Sequence, residues 1–333
     1  MVSFPPNPAD RLAPKIRATS KEDASRMDIL SIRNVVKVFG DVRAVDGISF
    51  TVRSGTITGL LGRNGAGKTT TIRMITGIFM PDSGSVDWTG GGDGGSFRDR
   101  LGYLPEERGL YKQMKVIEHL LFLAEIKGRK PADVRPRIDR WMERFELGEK
   151  RDAKVEELSK GNQQKVQLIG TLLHDPELII LDEPQSGLDP VNMKIVRELL
   201  LELKQEGRTI LLSTHMMDEA EKMADDIILI HRGKVVLQGG LEEVRESFGR
   251  NTLHLEFDGD GEFLERLPRV KKANIANNSA ELTLDDGADA HQILEASMGK
   301  VRIRRFELGT PSLEKIFIDQ VGADTLAAEQ VTL

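Results

Sequence analysis

A glycine-rich stretch of nine residues follows an apolar segment and ends in a lysine and two threonines. It comprises Gly62, Arg63, Asn64, Gly65, Ala66, Gly67, Lys68, Thr69 and Thr70, and it precedes a helical pattern over residues 71–78. Glycines allow backbone N–H groups to turn towards a ligand, and the start of a helix adds partial positive charge. The stretch therefore predicts a phosphate-binding loop. We expect Lys68 to contact the β- and γ-phosphates of a nucleotide and the Thr69 hydroxyl to bind Mg²⁺.

Two adjacent carboxylates, Asp182 and Glu183, directly follow a second apolar run over residues 178–181. Buried parallel strands present functional side chains at their carboxyl ends. We therefore expect Asp182 to bind Mg²⁺, directly or through water, and Glu183 to orient or deprotonate an attacking water molecule. Taken alone, the pattern fits a strand that ends in a solvated acidic turn equally well. Its position downstream of a phosphate-binding loop favours the catalytic interpretation.

Composition limits the classes of protein to consider. A chain of 333 residues with 39% apolar residues can form one large α/β core and a smaller appended domain. A net charge of −6 lacks the basic excess that is typical of nucleic-acid binding. The absence of cysteine excludes disulfides and thiolate metal sites and indicates the cytosol. No apolar run approaches the roughly 20 residues that span a bilayer, so any membrane role is expected to be peripheral.

Short β-rich runs alternate with longer helical stretches from Ile29 onward, which is typical of a parallel sheet with crossover helices. In the first part of the chain, strands are predicted at residues 29–38, 57–61, 178–182, 209–213 and 227–230, and a helical insert at 116–147. A second unit begins after Gly249. It is predicted to contain strands at 252–257, 281–284 and 301–308, and helices at 290–298 and 312–321.

The order of these motifs resembles the nucleotide-binding subunits of ABC transporters over nearly all of residues 28–240. In that family, ATP lies between the phosphate loop of one subunit and a Leu-Ser-Gly-Gly-Gln signature of the other. Here Leu-Ser-Lys-Gly-Asn-Gln-Gln occupies the corresponding residues 158–164, with lysine and asparagine at two signature positions. Ser159 and Gly161 are retained, so a hydroxyl and a closely approaching N–H can still meet a γ-phosphate. Without the neighbouring motifs, a serine-capped helix start is the preferred interpretation.

The resemblance assigns roles to four further residues. Asp189, in the Ser-Gly-Leu-Asp segment, is expected to help bind nucleotide across a dimer interface, and His215 to contact the γ-phosphate. Phe39 lies where the family stacks an aromatic ring on adenine. Glu106 replaces the glutamine that usually joins the core to the helical insert, and its carboxylate can approach Mg²⁺ or the attacking water. The alternatives are a solvated surface residue for His215 and a core residue for Phe39.

The implied fold class is α/β: a P-loop NTPase cassette of the ABC type plus a small α+β C-terminal domain. The cassette has a RecA-like core, a helical subdomain and a β-rich N-terminal part. The predicted boundaries are a disordered tail at 1–27, a nucleotide-binding domain at 28–245 with its helical subdomain at about 107–175, an accessory domain at 250–321 and a tail at 322–333. Either Met1 or Met27 could be the start of translation.

The signature variant, Glu106 and the extra domain together resemble a prokaryotic exporter branch that includes sodium-extrusion ATPases. The resemblance implies an ATP hydrolase that uses ATP and Mg²⁺ and works as a nucleotide-sandwich dimer, with two identical or two different ATP-binding subunits. It further implies a polytopic permease subunit as partner, a location on the cytoplasmic face of the membrane, and no nucleic-acid partner. The cargo is open: sodium, drugs, lipids and polysaccharides are all compatible.

The leading alternative is a soluble regulatory or sensor ATPase of the ABC type without a membrane partner. DNA-repair and chromosome-maintenance relatives insert long coiled coils or zinc modules, whereas this chain has no heptad run of that length and no cysteine. Translation factors of the family usually carry two cassettes, and one phosphate loop is present here. The transporter interpretation is therefore preferred.

Overall fold

The protein is described by a computed structural model that covers residues 27–89, 97–107, 109–249, 251–285 and 287–329. The predicted N-terminal tail lies outside these residues, apart from Met27. The chain divides into two compact units, Met1–Gly239 and Gly240–Leu333. This division falls before residue 245, where the first domain was predicted to end.

The first unit is built from nine strands and six α-helices within the described residues. The strands are β1 (Asp28–Phe39), β2 (Val42–Arg53), β3 (Ile57–Leu61), β4 (Ser83–Trp88), β5 (Leu101–Leu104), β6 (Leu178–Asp182), β7 (Thr209–Thr214), β8 (Asp226–His231) and β9 (Lys234–Gly240). The helices are α1 (Lys68–Ile75), α2 (Val116–Ile126), α3 (Pro131–Arg144), α4 (Lys160–Leu172), α5 (Pro190–Gln205) and α6 (Met217–Glu221).

A six-stranded sheet in the order β5-β6-β7-β3-β8-β9 forms the centre of this unit. Side chains alternate between its faces, so that Ile57 and Leu60 of β3 belong to two different hydrophobic clusters. Helices α4 and α5 contribute to the cluster on one face, and α1, β1 and β2 contribute to the other. Because helices or other strands cover both faces of this sheet, every residue of β3, β6 and β7 is buried, and these strands are rich in Ile and Leu.

The register of the sheet aligns the carboxyl ends of its central strands. Leu61 at the end of β3 pairs with Thr214 of β7, and Asp182 at the end of β6 pairs with Ser213. The segments that follow β3, β6 and β7 therefore leave the sheet at the same edge. This edge carries the predicted phosphate loop, the acid pair and His215.

A three-stranded antiparallel sheet in the order β2-β1-β4 lies beside the central sheet. Strands β2, β4, β5 and β9 were not predicted from the sequence. The apolar pattern of β2 is interrupted at Asp46 and Gly47, and β4 begins Ser-Gly-Ser. Their strand conformation depends on pairing with β1, which a local sequence pattern does not report.

The helical insert predicted at residues 116–147 is divided into α2 and α3. Gly128 between them has a left-handed φ of 71°, and Pro131 occupies the first turn of α3. A glycine that ends one helix and a proline that begins the next are the usual signals of such a break. Leu120, Ile138 and Val166, from α2, α3 and α4, share one buried cluster with the core.

The second unit contains a four-stranded antiparallel sheet. Its elements are α7 (Leu241–Ser247), β10 (Thr252–Asp258), β11 (Val270–Ala276), β12 (Ser279–Leu284), α8 (Ala290–Ser297), β13 (Arg302–Gly309) and α9 (Leu313–Glu329). The strand order β11-β12-β10-β13, with a 3₁₀ helix at Glu262–Arg266 between β10 and β11, is that of a ferredoxin-like β-α-β-β-α-β unit. Within the described residues, no helix combines the length and apolarity needed to cross a bilayer.

Two predictions for the second unit were wrong in part. The edge strand β11 was not predicted, because Lys271, Lys272 and Asn274 are exposed and leave a weak apolar pattern. Helix α9 extends beyond residue 321 to Glu329, into the predicted tail. The residues after Gly322 include Leu and Ala, which favour a helix.

His119 on α2 is a fully buried titratable residue outside the predicted site. Neither of its ring nitrogens has a hydrogen-bond partner among the residues described. Burial lowers the pKa of His119 to about 4. Between pH 6.5 and pH 4 the unfolded chain therefore binds a proton that the folded chain excludes, so the free energy of unfolding decreases as the pH falls through this range.

The variant His119→Leu is expected to be more stable than the wild type, by about 1 kcal/mol at pH 7.5, because it removes a buried imidazole that makes no hydrogen bond to the described residues. Its loss of stability between pH 7.5 and pH 5 should also be smaller than that of the wild type. Urea unfolding followed by circular dichroism at both pH values measures this. Exposed His291 provides the control, since His291→Leu makes the same exchange outside the buried core. An equal pH dependence in His119→Leu and wild type would contradict the prediction.

Candidate nucleotide-binding site

The loop between β3 and α1 is packed closely against neighbouring backbone. A Cβ atom on Gly62 would lie 2.3 Å from the carbonyl oxygen of Ile230, and one on Gly67 would lie 2.7 Å from that of Ala44. Gly67 also has a left-handed φ of 110° at the start of α1. Only glycine meets both conditions without displacing the backbone. The glycines of the predicted phosphate loop are therefore required by its conformation.

Lys68 is buried in the loop, with 5% of its surface exposed. Its Nζ donates a hydrogen bond of 2.8 Å to the Gly62 carbonyl and lies 3.3 Å from Oε1 of Glu183. These contacts fix the ammonium group between the loop and the end of β6. The arrangement provides a localised positive charge where phosphates would bind.

The loop lines a cavity of about 280 Å³. The lining residues are Ala44, Asn64, Gly65, Ala66, Gly67, Lys68, Thr69, Thr70, Glu106 and Glu183. Gly62 and Arg63 are not among them, although the Arg63 carbonyl lies 3.4 Å from Lys68 Nζ. The cavity brings together predicted site residues from three separate segments of the chain.

Asp182 is completely buried at the end of β6. Neither of its carboxylate oxygens makes a well-formed hydrogen bond to the residues that the structure describes. Burial raises the pKa of Asp182, and the nearby hydroxyls of Ser213 and Thr69 oppose this effect. A buried carboxylate without a partner is costly, and a bound cation would relieve that cost. Mg²⁺ is usually bound by one or two carboxylates together with substrate phosphates, so Asp182 and the Thr69 hydroxyl fit this ion.

Glu183 combines a strained backbone with a buried carboxylate. Its φ of 51° is left-handed, which in a non-glycine residue costs on the order of 1–3 kcal/mol. Its N–H donates a 3.0 Å hydrogen bond to the Ser213 carbonyl. Oε1 faces Lys68, and Oε2 lies 2.9 Å from Nδ1 of His215. The carboxylate is thus held between an ammonium group and an imidazole, and it can accept a proton from a water molecule in the cavity.

Glu106 lines the cavity from the segment that follows β5. Gln167 on α4 fixes this segment, because its side-chain amide donates to the carbonyls of Pro105 and Glu107 at 3.3 Å each. The Glu107 carboxylate lies 3.5 Å from Arg73 of α1. Contacts with α4 and α1 on either side of Glu106 therefore fix the backbone from which its side chain reaches the cavity.

Four predicted binding residues outside the phosphate loop do not line the cavity: Phe39, Ser159, Gly161 and Asp189. Ser159 caps α4 by accepting a hydrogen bond from the Asn162 N–H, and Asp189 caps α5 in the same way through Asn192. Phe39 is 43% exposed at the end of β1 and packs edge-on against Phe79. Within one chain, the start of α4 is thus a serine-capped helix start.

Three residues at or near the site were not predicted from the sequence: Ala44, Gln185 and Glu219. Ala44 lines the cavity from β2, a strand that was not predicted. Gln185 and Glu219 form a buried hydrogen bond close to Glu183 and His215. An alanine has no chemical signature, and Glu219 lies on a helix of only five residues, so neither position could be recognised from the sequence pattern.

A second cavity, of about 220 Å³, lies at the amino end of β6, at the opposite edge of the sheet. Its lining includes Arg137, Arg140, Trp141, Arg144, Leu172, Asp175, Pro176, Ile179, Leu203, Glu206 and Arg208. It contains none of the predicted site residues. Arg137 and Arg208 both contact Asp175, which offsets part of the positive charge. Of the two cavities, only the one at the phosphate loop therefore contains residues with the predicted chemistry.

Comparisons with known proteins agree with this site. The family described as "ABC transporter" matches residues 45–186, and the family "ATP-binding protein DrrA1-3-like, C-terminal domain" matches residues 239–321. The ABC transporter ATP-binding protein YhaQ of Bacillus subtilis (strain 168) is 43% identical to this chain, covering 89% of it and 99% of YhaQ. The Nod factor export ATP-binding protein I of Rhizobium sp. (strain N33) is 34% identical, with coverages of 89% and 97%.

A solved structure described as an ATP-binding subunit of an ABC transporter superimposes with a TM-score of 0.61 at 32% identity, over 66% of this chain and 93% of that one. The first unit is thus an ATP-binding cassette. The chain belongs to the family of ABC transporter ATP-binding proteins. The predicted family and the predicted fold class, a P-loop α/β cassette with a C-terminal α+β domain, are both confirmed.

Proposed function

We propose that this chain is the ATP-hydrolysing motor subunit of an ABC exporter and that it works as a nucleotide-sandwich dimer. The observation that carries the proposal is the cavity that the phosphate loop, with Lys68, and Glu183 line, next to the buried Asp182, which makes no well-formed hydrogen bond to the residues described. A phosphate-binding loop, a fixed ammonium group and two buried carboxylates are the groups that nucleotide hydrolysis requires. Charge and hydrogen-bond donors for the phosphates are thus adjacent to a proton acceptor for water.

In this proposal the backbone N–H groups of residues 62–70 bind the phosphates and Lys68 contacts the β- and γ-phosphates. Thr69 and Asp182, together with Glu106, would hold Mg²⁺, and the ion would supply positive charge that offsets the charge of the phosphates. Glu183 orients the attacking water and accepts its proton. His215, in contact with Glu183, binds the γ-phosphate. Phe39, at the end of β1, stacks on adenine.

The sandwich dimer is supported by the residues that do not reach the chain's own cavity. Ser159 is exposed at the start of α4, where its hydroxyl and the following N–H groups can meet a phosphate of a second subunit. Asp189 is exposed at the start of α5. In the closed dimer each ATP would join the phosphate loop of one subunit to Ser159 and Gly161 of the other. Hydrolysis would remove the bridging phosphate and allow the dimer to open.

The dimer can be measured with a hydrolysis-deficient chain. Glu183→Gln in the presence of ATP and Mg²⁺ is expected to elute from size-exclusion chromatography with the mass of two chains, and without nucleotide with the mass of one. Adding Ser159→Glu should abolish the ATP-dependent dimer, because a carboxylate there would repel the partner's γ-phosphate. Adding Lys130→Glu at the exposed start of α3, which carries no predicted phosphate contact, is the charge control and should leave the dimer intact. Dimers of equal stability in all three variants would contradict the role of Ser159.

The role of Glu106 follows from its charge. Glu106→Gln is expected to bind ATP about fivefold more tightly than wild type when Mg²⁺ is chelated, because it removes a carboxylate that repels the phosphates. With Mg²⁺ the difference in ATP affinity between Glu106→Gln and wild type should be smaller, so ATP binding by the variant depends less on the metal. Equilibrium binding of a fluorescent ATP analogue with Mg²⁺ and with EDTA measures both values. Glu107→Gln is the matched control, since Glu107 does not line the cavity; an equal response of both variants would exclude Glu106 from the metal site.

Export is supported by relatives whose names include a Nod factor export protein and a linearmycin resistance protein. We infer that the partner is a polytopic permease subunit and that the chain lies on the cytoplasmic face of the membrane. The second ATP-binding subunit is another copy of this chain or a related one. The cargo would be selected by the permease, so the residues described here assign no cargo.

The test is purification of the tagged full chain from native membranes in mild detergent, with the untagged chain as control. A polytopic protein that is recovered in stoichiometric amounts, and that is absent from the control, supports the transporter motor. Inverted vesicles that contain this complex should then take up cargo in the presence of ATP, which distinguishes export from import. Recovery of an active ATPase from the soluble fraction without a membrane protein would favour a regulatory ATPase instead.

A further inference from the structure

Four side chains next to the proposed catalytic pair form a group that we call the Glu219 cluster: Gln185, Arg197, Glu219 and the exposed Lys222. Glu219 is at its centre, with 5% of its surface exposed. Its Oε2 accepts hydrogen bonds from Arg197 at 3.0 Å and from Gln185 at 3.3 Å. Its Oε1 accepts one from Lys222 at 2.6 Å. One carboxylate thus joins three segments of the chain.

These segments include the two that carry the catalytic pair. Gln185 lies two residues after Glu183, and Glu219 lies four residues after His215, on α6. Arg197 belongs to α5, which forms a third support. On the other side, Gln164 of α4 donates a 3.3 Å hydrogen bond to the Pro184 carbonyl. The segment that follows β6 is therefore held from two directions, by α4 and by Glu219.

Both segments need such support. The left-handed backbone of Glu183 is a strained conformation, which persists only where the surroundings determine it. Helix α6 has five residues, too few to be stable without tertiary contacts. The hydrogen bond between Gln185 and Glu219 ties the segment of Glu183 to the helix that follows His215, and the side chains of Glu183 and His215 meet at 2.9 Å. A small displacement of a reacting group can cost a large factor in rate.

The charges of the cluster favour the ionised form of Glu219. Burial raises the pKa of the Glu219 carboxyl. The hydrogen bond and charge of Lys222 and the charge of Arg197 lower this pKa by more than burial raises it, so the net effect is a lowered pKa. The hydrogen bond to Glu219 in turn raises the pKa of Lys222. A buried carboxylate with three donors is a rigid anchor, because the loss of any donor removes part of the compensation of a buried charge.

We propose that Glu219 is a positioning residue for hydrolysis: through Gln185 it fixes Glu183, and through α6 it fixes His215, so that the two side chains meet. Glu219 does not line the nucleotide cavity and has no direct part in the reaction. This inference rests on the proposed hydrolytic function, with Glu183 as proton acceptor.

The kinetic test compares Glu219→Gln and Gln185→Leu with wild type in the purified full chain. Each variant is expected to lower kcat about 10- to 100-fold, with KM for ATP within about twofold of wild type, because positioning of the reacting groups is lost and the phosphate loop is intact. Asp218→Asn is the matched control: it removes a carboxylate from the adjacent, exposed position of the same helix. It should change kcat less than twofold. Gln185→Leu decides the question if Glu219→Gln does not fold.

A spectroscopic test does not depend on turnover. The chain contains six histidines, so the ring signal of His215 in carbon-13-labelled protein can be assigned by comparison with His215→Gln. In the nucleotide-free protein, Glu219→Gln and Gln185→Leu should shift or broaden this signal, whereas Asp218→Asn should not. An unmoved His215 signal, or an unchanged kcat in both variants, would overturn the inference. If the wild type itself does not hydrolyse ATP, the proposed function fails, and the His215 signal still tests the positioning role.

Discussion

Glu183→Gln is expected to lower kcat for ATP hydrolysis by a factor on the order of 10² to 10⁴, while ATP still binds. The amide keeps the shape of the side chain and can accept a hydrogen bond from water, but it cannot take up the proton. The phosphate loop, Lys68 and Asp182 are unchanged, so the dissociation constant for ATP should stay within about threefold of wild type. Steady-state phosphate release and equilibrium binding of ATP to the purified chain measure the two quantities.

The control for this variant is Glu177→Gln at the amino end of β6. Glu177 is 44% exposed, pairs with Arg100 and lies at the opposite edge of the sheet from the cavity. Its replacement makes the same chemical change and should alter kcat less than twofold. Turnover near the wild-type rate in Glu183→Gln would remove Glu183 from the role of proton acceptor. A large loss of ATP affinity would instead indicate that Glu183 contributes mainly to binding.

Most of the phosphate-loop cavity could be predicted from the sequence because its chemistry follows short apolar strands. The runs that end at Leu61 and Asp182 are buried on both faces of the sheet, so they are recognisable without knowledge of their neighbours. Since parallel strands carry functional groups at their carboxyl ends, the segments after β3 and β6 could be expected at one edge. Because Asp182 pairs with Ser213, His215, which follows β7, lies at the same edge of the sheet.

Other features could not be predicted because they depend on contacts between distant segments. Ala44 lines the cavity from β2, whose apolar pattern is interrupted and whose strand conformation depends on β1. The acidic sequence around Glu219 on α6 predicts an exposed side chain. Its burial follows from the approach of Arg197 on α5 and of Gln185 after β6.

The start of α4 illustrates a different limit. The sequence permitted two interpretations of Ser159, a helix cap or a phosphate contact, and within one chain the structure contains the cap. The two interpretations are compatible, because the hydroxyl that accepts a hydrogen bond from the Asn162 N–H is exposed and can donate one to an anion. A phosphate contact of Ser159 can be detected only when a second chain is present, and for this reason the dimer experiment with Ser159→Glu is needed.

Lys68→Ala is expected to weaken ATP binding about 10- to 100-fold, because hydrogen bonds to charged groups contribute about 1.5–3 kcal/mol each. The ammonium group is already fixed by the Gly62 carbonyl and by Glu183, so little ordering is needed when phosphates bind. Equilibrium binding of ATP with Mg²⁺ measures the effect. Lys165→Ala is the control: Lys165 is similarly buried and donates to the Phe145 carbonyl, but it does not line the cavity. Undiminished affinity in Lys68→Ala would contradict the proposed phosphate contact.

The loss of affinity in Lys68→Ala has two possible origins, which a double variant separates. Removing Lys68 takes away a contact to the phosphates and also leaves the buried carboxylate of Glu183 without its ammonium partner. If the phosphate contact dominates, Lys68→Ala combined with Glu183→Gln should bind ATP as weakly as Lys68→Ala alone. If repulsion by the uncompensated Glu183 dominates, the double variant should regain most of the affinity. We expect the first result, because the Lys68 ammonium lies in the cavity lining and the phosphates carry more charge than one carboxylate.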